Sequence, residues 1–274
     1  MPNSSENKIP VIYGRMPKPH EKEYREWNNY ESGKAEEEAK KVSGPFEEAW
    51  LNVVHAYEPV SMPAFDKILA IENLRRHLRG KVMDVAAGSC WLSAKLSHLP
   101  EVAEVFTVDL SEKFMRTAGT RVMTALGADF KKIRFVVTNF NEIPLETASV
   151  DCAMLFAALH HSLSPIKTLQ EIGRCLKPGG VIMVLENPPA SIRIRQARKK
   201  ALGLSEDVTE IAYTREELEY LILNSKVGKL TTFTFDILSR QGMRIKIRKF
   251  FRSLGIEHLV LNPPTYLFLV EKEN

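Results

Sequence analysis

Four places in this 274-residue chain combine residue types and spacings that can do chemistry. The first is the run Val82-Met83-Asp84-Val85-Ala86-Ala87-Gly88-Ser89-Cys90, an apolar strand carrying an acid and then a turn of small residues that opens a helix. Small residues at such a turn let a ligand approach the backbone closely, although an ordinary strand-to-helix loop has the same look. The second is Asp109, which ends the next strand about twenty residues after Gly88, where a carboxylate can set two oxygens against two ribose hydroxyls. An Asp there commonly caps the following helix instead, but Ser111 in Asp109-Leu110-Ser111-Glu112 can take that role. The third is Thr138-Asn139-Phe140-Asn141, where Asn139 offers a carbonyl to accept and an amide to donate, and Phe140 a ring to stack; a polar turn with one buried Phe is the structural alternative. The fourth is the pair His160-His161 with Glu186, ionisable groups that can take a proton.

The elements that must position these residues can be read from the hydrophobic pattern. Strands are expected at Lys81–Val85, Val105–Asp109, Ile133–Val137, Val150–Phe156, Val181–Glu186, Leu230–Phe235 and Tyr266–Val270. Helical patterns at Trp91–Leu99, Glu112–Leu126 and Ile166–Leu176 alternate with them. The alternation implies an α/β fold, a Rossmann-like doubly wound, mostly parallel seven-stranded sheet covered on both faces. Ligands in such sheets bind beyond the carboxyl ends of the strands, so the loops after Val85, Asp109, Val137, Phe156 and Glu186 should converge on one crevice. Ahead of the sheet, residues 1–78 are expected to form an N-terminal helical cap or lid, with helices over Glu21–Lys41, Phe46–Tyr57 and Met62–Leu78. Residues 79–274 are expected to form the sheet-bearing domain, with basic insertions near 190–215 and 239–256.

The turn itself argues against a dinucleotide. That fingerprint wants small residues at 86, 88 and 91, and position 91 is Trp91, too large for close helix-to-strand packing. The spacing 86, 88, 90 gives Ala86, Gly88 and Cys90, all small, and resembles the glycine-rich motif of class I S-adenosylmethionine-dependent methyltransferases, the type 11-like group among them. The resemblance continues through Asp109, Asn139-Phe140, Ser149-Val150-Asp151, Phe156-Ala157-Ala158-Leu159-His160-His161 and Leu176-Lys177-Pro178-Gly179-Gly180, in order over roughly residues 80–190. It implies S-adenosylmethionine as cofactor, held by Asp84, Ala86, Gly88, Asp109, Leu110, Asn139, Phe140 and Phe156. Asn139 stands where the family carries an acid that reads the adenine edge. The sulfonium is already activated, so the protein must align the acceptor and, for a hydroxyl or protonated amine, supply a base. His161, His160 and Glu186 are the candidates, and the resemblance favours His161; a purely structural hydrogen bond is the competing role. For Asp109, an Asn replacement is expected to be milder than Ala.

Composition bounds the partners. With 44% hydrophobic and 26% charged residues and a net charge of +4, the chain can bury a full core and carries no overall polyanion-binding excess. Arg193, Arg195, Arg198, Lys199 and Lys200, and then Arg240, Arg244, Lys246, Arg248, Lys249 and Arg252, form two basic clusters. They suit an anionic or lipid-linked substrate at a positive rim, or are solvated helix faces. A small-molecule, sugar or lipid-linked acceptor is the leading expectation. An RNA methyltransferase and a methyltransferase-like binding module without catalysis are the alternatives, although nucleic acid is not an expected partner. Asn187-Pro188-Pro189 and Asn262-Pro263-Pro264 lack the strand context and aromatic of an amine-methylating motif and read as rigid turns. Cys90, Cys152 and Cys175 show no metal or redox spacing, and no metal is expected. With no apolar run of about 18 residues, the protein is expected to be soluble and cytoplasmic.

Overall fold

A computed structural model describes residues 9–14, 60–162, 164–187, 213–235 and 264–273. The expected helices over Glu21–Lys41 and Phe46–Tyr57, and both basic clusters, lie outside the described residues. The strands are β1 (Val11–Tyr13), β2 (Gly80–Val85), β3 (Val102–Asp109), β4 (Ile133–Val137), β5 (Val150–Phe156), β6 (Leu176–Glu186), β7 (Gly228–Phe235) and β8 (Thr265–Lys272). They form one sheet in the order β1-β4-β3-β2-β5-β6-β8-β7. All pairings are parallel except those of β8 with β6 and β7. The expected mostly parallel, doubly wound sheet is therefore present, with eight strands in place of seven.

The added strand is β1, so the sheet takes in three residues from the segment expected to belong to the N-terminal cap. Its brevity and the proline before it hid it from pattern reading. Pro10 lacks an N–H, but its carbonyl accepts from Phe135 N at 3.0 Å, and an edge strand tolerates the missing donor. Parallel pairing of Val11–Tyr13 with Phe135–Val137 sends the chain out at the carboxyl end of the sheet, beside the loop after β4.

Alternation along each strand divides the core between two faces. Val82, Val105, Phe135, Met154 and Met183 point to one face, against α1 (Ser61–Ala70), α3 (Trp91–Ser97) and the helical stretch from Glu112 to Ala125. Met83, Val85, Phe106, Ala153, Val184 and Phe268 point to the other, against α6 (Pro165–Cys175) and α7 (Arg215–Asn224). Burial on both faces is why these strands read as continuous apolar runs. A short helix α2 (Glu72–Arg75) links α1 to β2. The stretch after β3 begins as α4 (Glu112–Phe114), widens into a π turn over Met115–Gly119 and ends as α5 (Thr120–Ala125). Thr120 Oγ1 donates to Met115 O at 2.9 Å inside the widened turn. Gly119 there lies against Cys90 Sγ so closely that a Cβ would stand 2.6 Å from the sulfur.

Local chemistry sets the helix ends. Pro165 opens α6, where its missing N–H costs nothing. Thr214 caps α7 in a reciprocal box, accepting from Glu217 N while Glu217 Oε2 accepts from Thr214 N at 2.7 Å. The Pro178-Gly179-Gly180 turn is a bulge inside β6: Val150 pairs with Leu176 but Cys152 with Val181. Asp151 ties this end of the sheet together, accepting from Lys81 N at 2.8 Å and from Lys177 Nζ at 2.7 Å. No described helix is long and apolar enough to cross a membrane.

Candidate active site

The winding changes direction between β2 and β5, and the carboxyl ends of β4, β3, β2, β5 and β6 line one side of the sheet in that order. Each sequence-expected residue sits at one of these ends. The turn after β2 is built from left-handed residues at every second position: Ala86 has φ 61°, Gly88 φ 47° and Cys90 φ 59°. These are the three positions of the small-residue motif, so the backbone keeps the motif's shape although two of its three residues carry a Cβ. A left-handed non-glycine costs about 1–2 kcal/mol, offset in part by the larger entropy that glycine loses. Ala86→Gly is therefore expected to raise stability by roughly 0.5–1 kcal/mol. A chemical denaturation midpoint checks it, and a lowered midpoint would show that Ala86 is not strained.

Asp84 lies under this turn, 3% exposed, and accepts from Ser93 Oγ at 2.6 Å; Ser93 in turn meets Thr107 Oγ1 at 2.8 Å. The acid at the end of β2 is thus tied to the first turn of α3 and to β3. Trp91, expected only to obstruct a dinucleotide, is 4% exposed and packs between Phe65 and Phe156, with centroids 6.1 and 6.3 Å away. Phe156 is only partly buried at the end of β5.

Asp109 is buried at the end of β3. Its Oδ2 accepts from Gly88 N and its Oδ1 from Ser111 N, each at 2.8 Å, and the Leu110 N–H also turns toward the carboxylate. Burial pushes its pKa up, and these three backbone donors pull against that shift. The cap of α4 is Ser111, whose Oγ accepts from Phe114 N at 3.1 Å, as the sequence suggested. Asp109 is consequently a carboxylate stretched between two loops, with both oxygens engaged by backbone N–H groups and accepting capacity left over.

On the far side of Asp109, the loop after β4 is held from α6. Ile143 N donates to Glu171 Oε1 at 2.8 Å, and Thr168 Oγ1 donates to Asn141 Oδ1 at 3.0 Å. Asn139 Oδ1 accepts from Asn141 N at 2.8 Å, which fixes the amide so that Nδ2 points the other way. Of the two halves of the amide, the donor is the half left for a partner. Phe140 is partly buried beside it.

Two buried polar atoms flank Asp109 with no hydrogen-bond partner among the described residues, Ser89 Oγ on the β2 side and Asn139 Nδ2 on the β4 side. An unmet buried polar group costs about 1–3 kcal/mol, so two of them around one carboxylate fit a polar ligand. A Cβ built on Gly88 would meet nothing closer than 3.9 Å, leaving room above the turn. A carboxylate, a hydroxyl and an amide donor in this arrangement suit a purine nucleoside, the residues present fitting S-adenosylmethionine. Ser89 was not singled out from the sequence; its only signal was a hydroxyl in a turn of otherwise non-polar small residues.

The ionisable candidates lie one step further along the sheet, on a 3-10 turn (Leu159–His161) after β5. Glu186, the last residue of β6, is 6% exposed. Its Oε1 accepts from Ala158 N at 3.1 Å and Leu159 N at 2.9 Å, and its Oε2 lies 3.0 Å from His160 Nδ1. The rings of His160 and His161 are 4.1 Å apart. His161 is partly buried, and burial first and the neighbouring His160 second push its pKa down to about 3. The two histidines thus differ in their surroundings: His161 is held neutral, whereas His160 has a carboxylate at its back. Among the described residues no cluster of His, Cys, Asp and Glu could hold a metal ion, and all three cysteines are buried thiols.

Comparison with known proteins agrees with this geometry. The family model described as "Methyltransferase domain" matches residues 83–184, from β2 to β6. The ubiquinone/menaquinone biosynthesis C-methyltransferase UbiE of Syntrophotalea carbinolica is 29% identical over 120 residues, which are 44% of this chain and 49% of that protein. The chain thus spans about half the length of this relative. Among solved structures, the Haloferax volcanii partner of the Trm112 methyltransferase activator superposes with a TM-score of 0.60 at 17% identity, over 85% of this chain and 100% of that one. Haemonchus contortus phosphoethanolamine N-methyltransferase 2, in complex with S-adenosyl-L-methionine, gives 0.55 at 17% identity, over 76% and 53%. Across residues 83–184 the chain therefore matches a methyltransferase domain, on a doubly wound sheet that its solved neighbours share.

Proposed function

We propose that the chain transfers the methyl group of S-adenosylmethionine to a small-molecule acceptor, and that this acceptor is an electron-rich ring of the quinone-precursor type, lipid-linked or free. The observation that carries the reading is the Asp109 carboxylate strung between the loops after β2 and β3, with Ser89 Oγ in the β2 loop and Asn139 Nδ2 in the β4 loop unmet. The acceptor class rests on the likeness to the UbiE relative, a ubiquinone/menaquinone biosynthesis C-methyltransferase. Bound S-adenosylmethionine supplies a methyl group on a good leaving group. Asp109 would hold the ribose hydroxyls with the accepting capacity its backbone donors leave, and Asn139 Nδ2 would donate to a ring nitrogen of the base. Trp91 and Phe156 would form an apolar floor where β2 and β5 part, keeping water from the reacting methyl. The basic clusters would serve a lipid-linked acceptor as a rim.

Calorimetry tests the cofactor first. S-Adenosylmethionine and S-adenosylhomocysteine are expected to bind in the micromolar range, and NAD not at all. Release of S-adenosylhomocysteine in the presence of demethylated hydroquinones, with and without a prenyl tail, then tests the acceptor. NAD binding without any response to the two methionine-derived ligands would overturn the cofactor assignment. Turnover on amines but on no hydroquinone would overturn the acceptor class.

A further inference from the structure

We propose that His160, through Nε2, receives the proton that the acceptor gives up during methyl transfer, and that Glu186 is the positioning residue that makes it able to do so. This rests on the methyl-transfer reading above. Two bonds from Oε1 to consecutive backbone N–H groups, Ala158 and Leu159, are enough to fold the loop after β5 against β6. The third contact, from Oε2 to His160 Nδ1 at 3.0 Å, has no part in that task. An ionised carboxylate only accepts, so Nδ1 carries the hydrogen and Nε2 carries the lone pair. The carboxylate also stabilises the imidazolium that forms when Nε2 takes a proton, the logic of an acid behind a catalytic histidine.

Placement agrees. His160 follows β5 and Glu186 ends β6, next to the point between β2 and β5 where the winding reverses. The loop is fixed against both strands, since Ala157, with φ 49°, donates its N–H to Leu185 O at 2.8 Å. Among the described residues, the charged and titratable groups around His160 are Glu186 from β6 and His161 on its own turn. Next along the sheet, Tyr266 pairs with Glu186 in register and carries Arg215 over its ring at 5.2 Å. His161 stays neutral and so puts no second positive charge beside a protonated His160.

The step balances. An acceptor hydroxyl loses its proton to Nε2, and its electron pair flows into the ring so that the ring carbon, or the oxygen itself, forms the new bond to the methyl carbon. The carbon–sulfur bond breaks with its pair left on sulfur, giving a thioether. For attack from carbon, the hydrogen on that carbon leaves to solvent as a proton when the aromatic ring is restored, and the proton on Nε2 returns to the hydroxyl oxygen; for attack from oxygen, the proton on Nε2 passes to solvent. The class of acceptor this selects is one protonated at neutral pH, a phenol or hydroquinone, in preference to one already anionic.

The test uses the full chain with Glu186→Gln, His160→Ala and His161→Gln. In Glu186→Gln the amide oxygen can still accept from the loop, but the amide nitrogen would donate to Nδ1 and move the ring proton to Nε2. The expected results are a 10²–10⁴-fold loss of turnover in both Glu186→Gln and His160→Ala, a dissociation constant for S-adenosylhomocysteine within twofold of wild type, and a near-normal rate in His161→Gln. The wild-type rate should fall on acidification through the histidine range, and the residual rate of His160→Ala should not. Nitrogen NMR of labelled histidine should show His160 protonated on Nδ1 in the wild type and on Nε2 in Glu186→Gln, a readout that needs no acceptor. A stably folded Glu186→Gln with full turnover, or a wild-type His160 protonated on Nε2, would overturn the proposal. Loss of S-adenosylmethionine binding by the wild type would instead overturn the reading it rests on.

Discussion

Replacing Asp109 by Ala is expected to weaken S-adenosylmethionine and S-adenosylhomocysteine binding by about 10²–10⁴-fold, from two charge-assisted hydrogen bonds to the ribose at roughly 1.5–3 kcal/mol each. The sequence alone suggests that Asn should be the milder replacement, and the geometry reverses this. Each carboxylate oxygen already accepts a backbone N–H, Oδ2 from Gly88 and Oδ1 from Ser111. An Asn must turn its NH₂ toward one of these donors, so it loses one ribose acceptor and also pushes one loop away. Asp109→Asn is therefore expected to bind nearly as weakly as Asp109→Ala. The unliganded fold should change little in Asp109→Ala, because removing a carboxylate whose burial opposes its ionisation offsets the loss of its backbone bonds. Calorimetry on both variants, with thermal melts taken with and without S-adenosylhomocysteine, separates binding from folding. A dissociation constant unchanged in Asp109→Ala would mean that the ribose is held elsewhere.

The same residue shows what could be read from sequence and what could not. Asp109 was legible because a strand end and a spacing from Gly88 are local properties, and Ser111 was legible as the cap because capping is decided within three residues. Strand positions followed from apolar runs buried on both faces. What escaped was long-range. Glu186 reads in sequence as one more ionisable group at a strand end, and only the parallel pairing of β5 with β6 brings its carboxylate to Ala158, Leu159 and His160. The choice between His161 and His160 is of the same kind, since adjacent residues of one type differ only in what the rest of the fold sets around them. The π turn at Met115–Gly119 leaves no periodic signature, and a closely placed Cys90 sulfur explains Gly119 only once α3 and this helix are packed together. At the turn itself, the replacement of two glycines obscured a backbone that still takes the left-handed conformation at Ala86, Gly88 and Cys90.

Acid should destabilise the fold through His161. In the unfolded chain this imidazole titrates near its ordinary value of 6.5, whereas in the folded protein burial and His160 hold it neutral down to about 3. The folded pKa is depressed, so below 6.5 the unfolded state binds a proton that the folded state does not, and stability present above 6.5 is lost as pH falls toward 3. From pH 7 to 5 the unfolded histidine crosses about 1.5 units below its pKa while the folded one stays neutral, which corresponds to about 2 kcal/mol from this one group. The loss continues on further acidification until the folded imidazole itself begins to protonate. His77, whose pKa is lowered mainly by burial, works in the same direction and sets a background that His161 variants retain. In His161→Gln the side chain remains polar but cannot take a proton, so its unfolding free energy should fall by about 2 kcal/mol less than that of the wild type between pH 7 and pH 5. Urea unfolding at the two pH values measures the difference directly. Equal losses in the two proteins would show that His161 is as accessible to protons in the folded state as in the unfolded one.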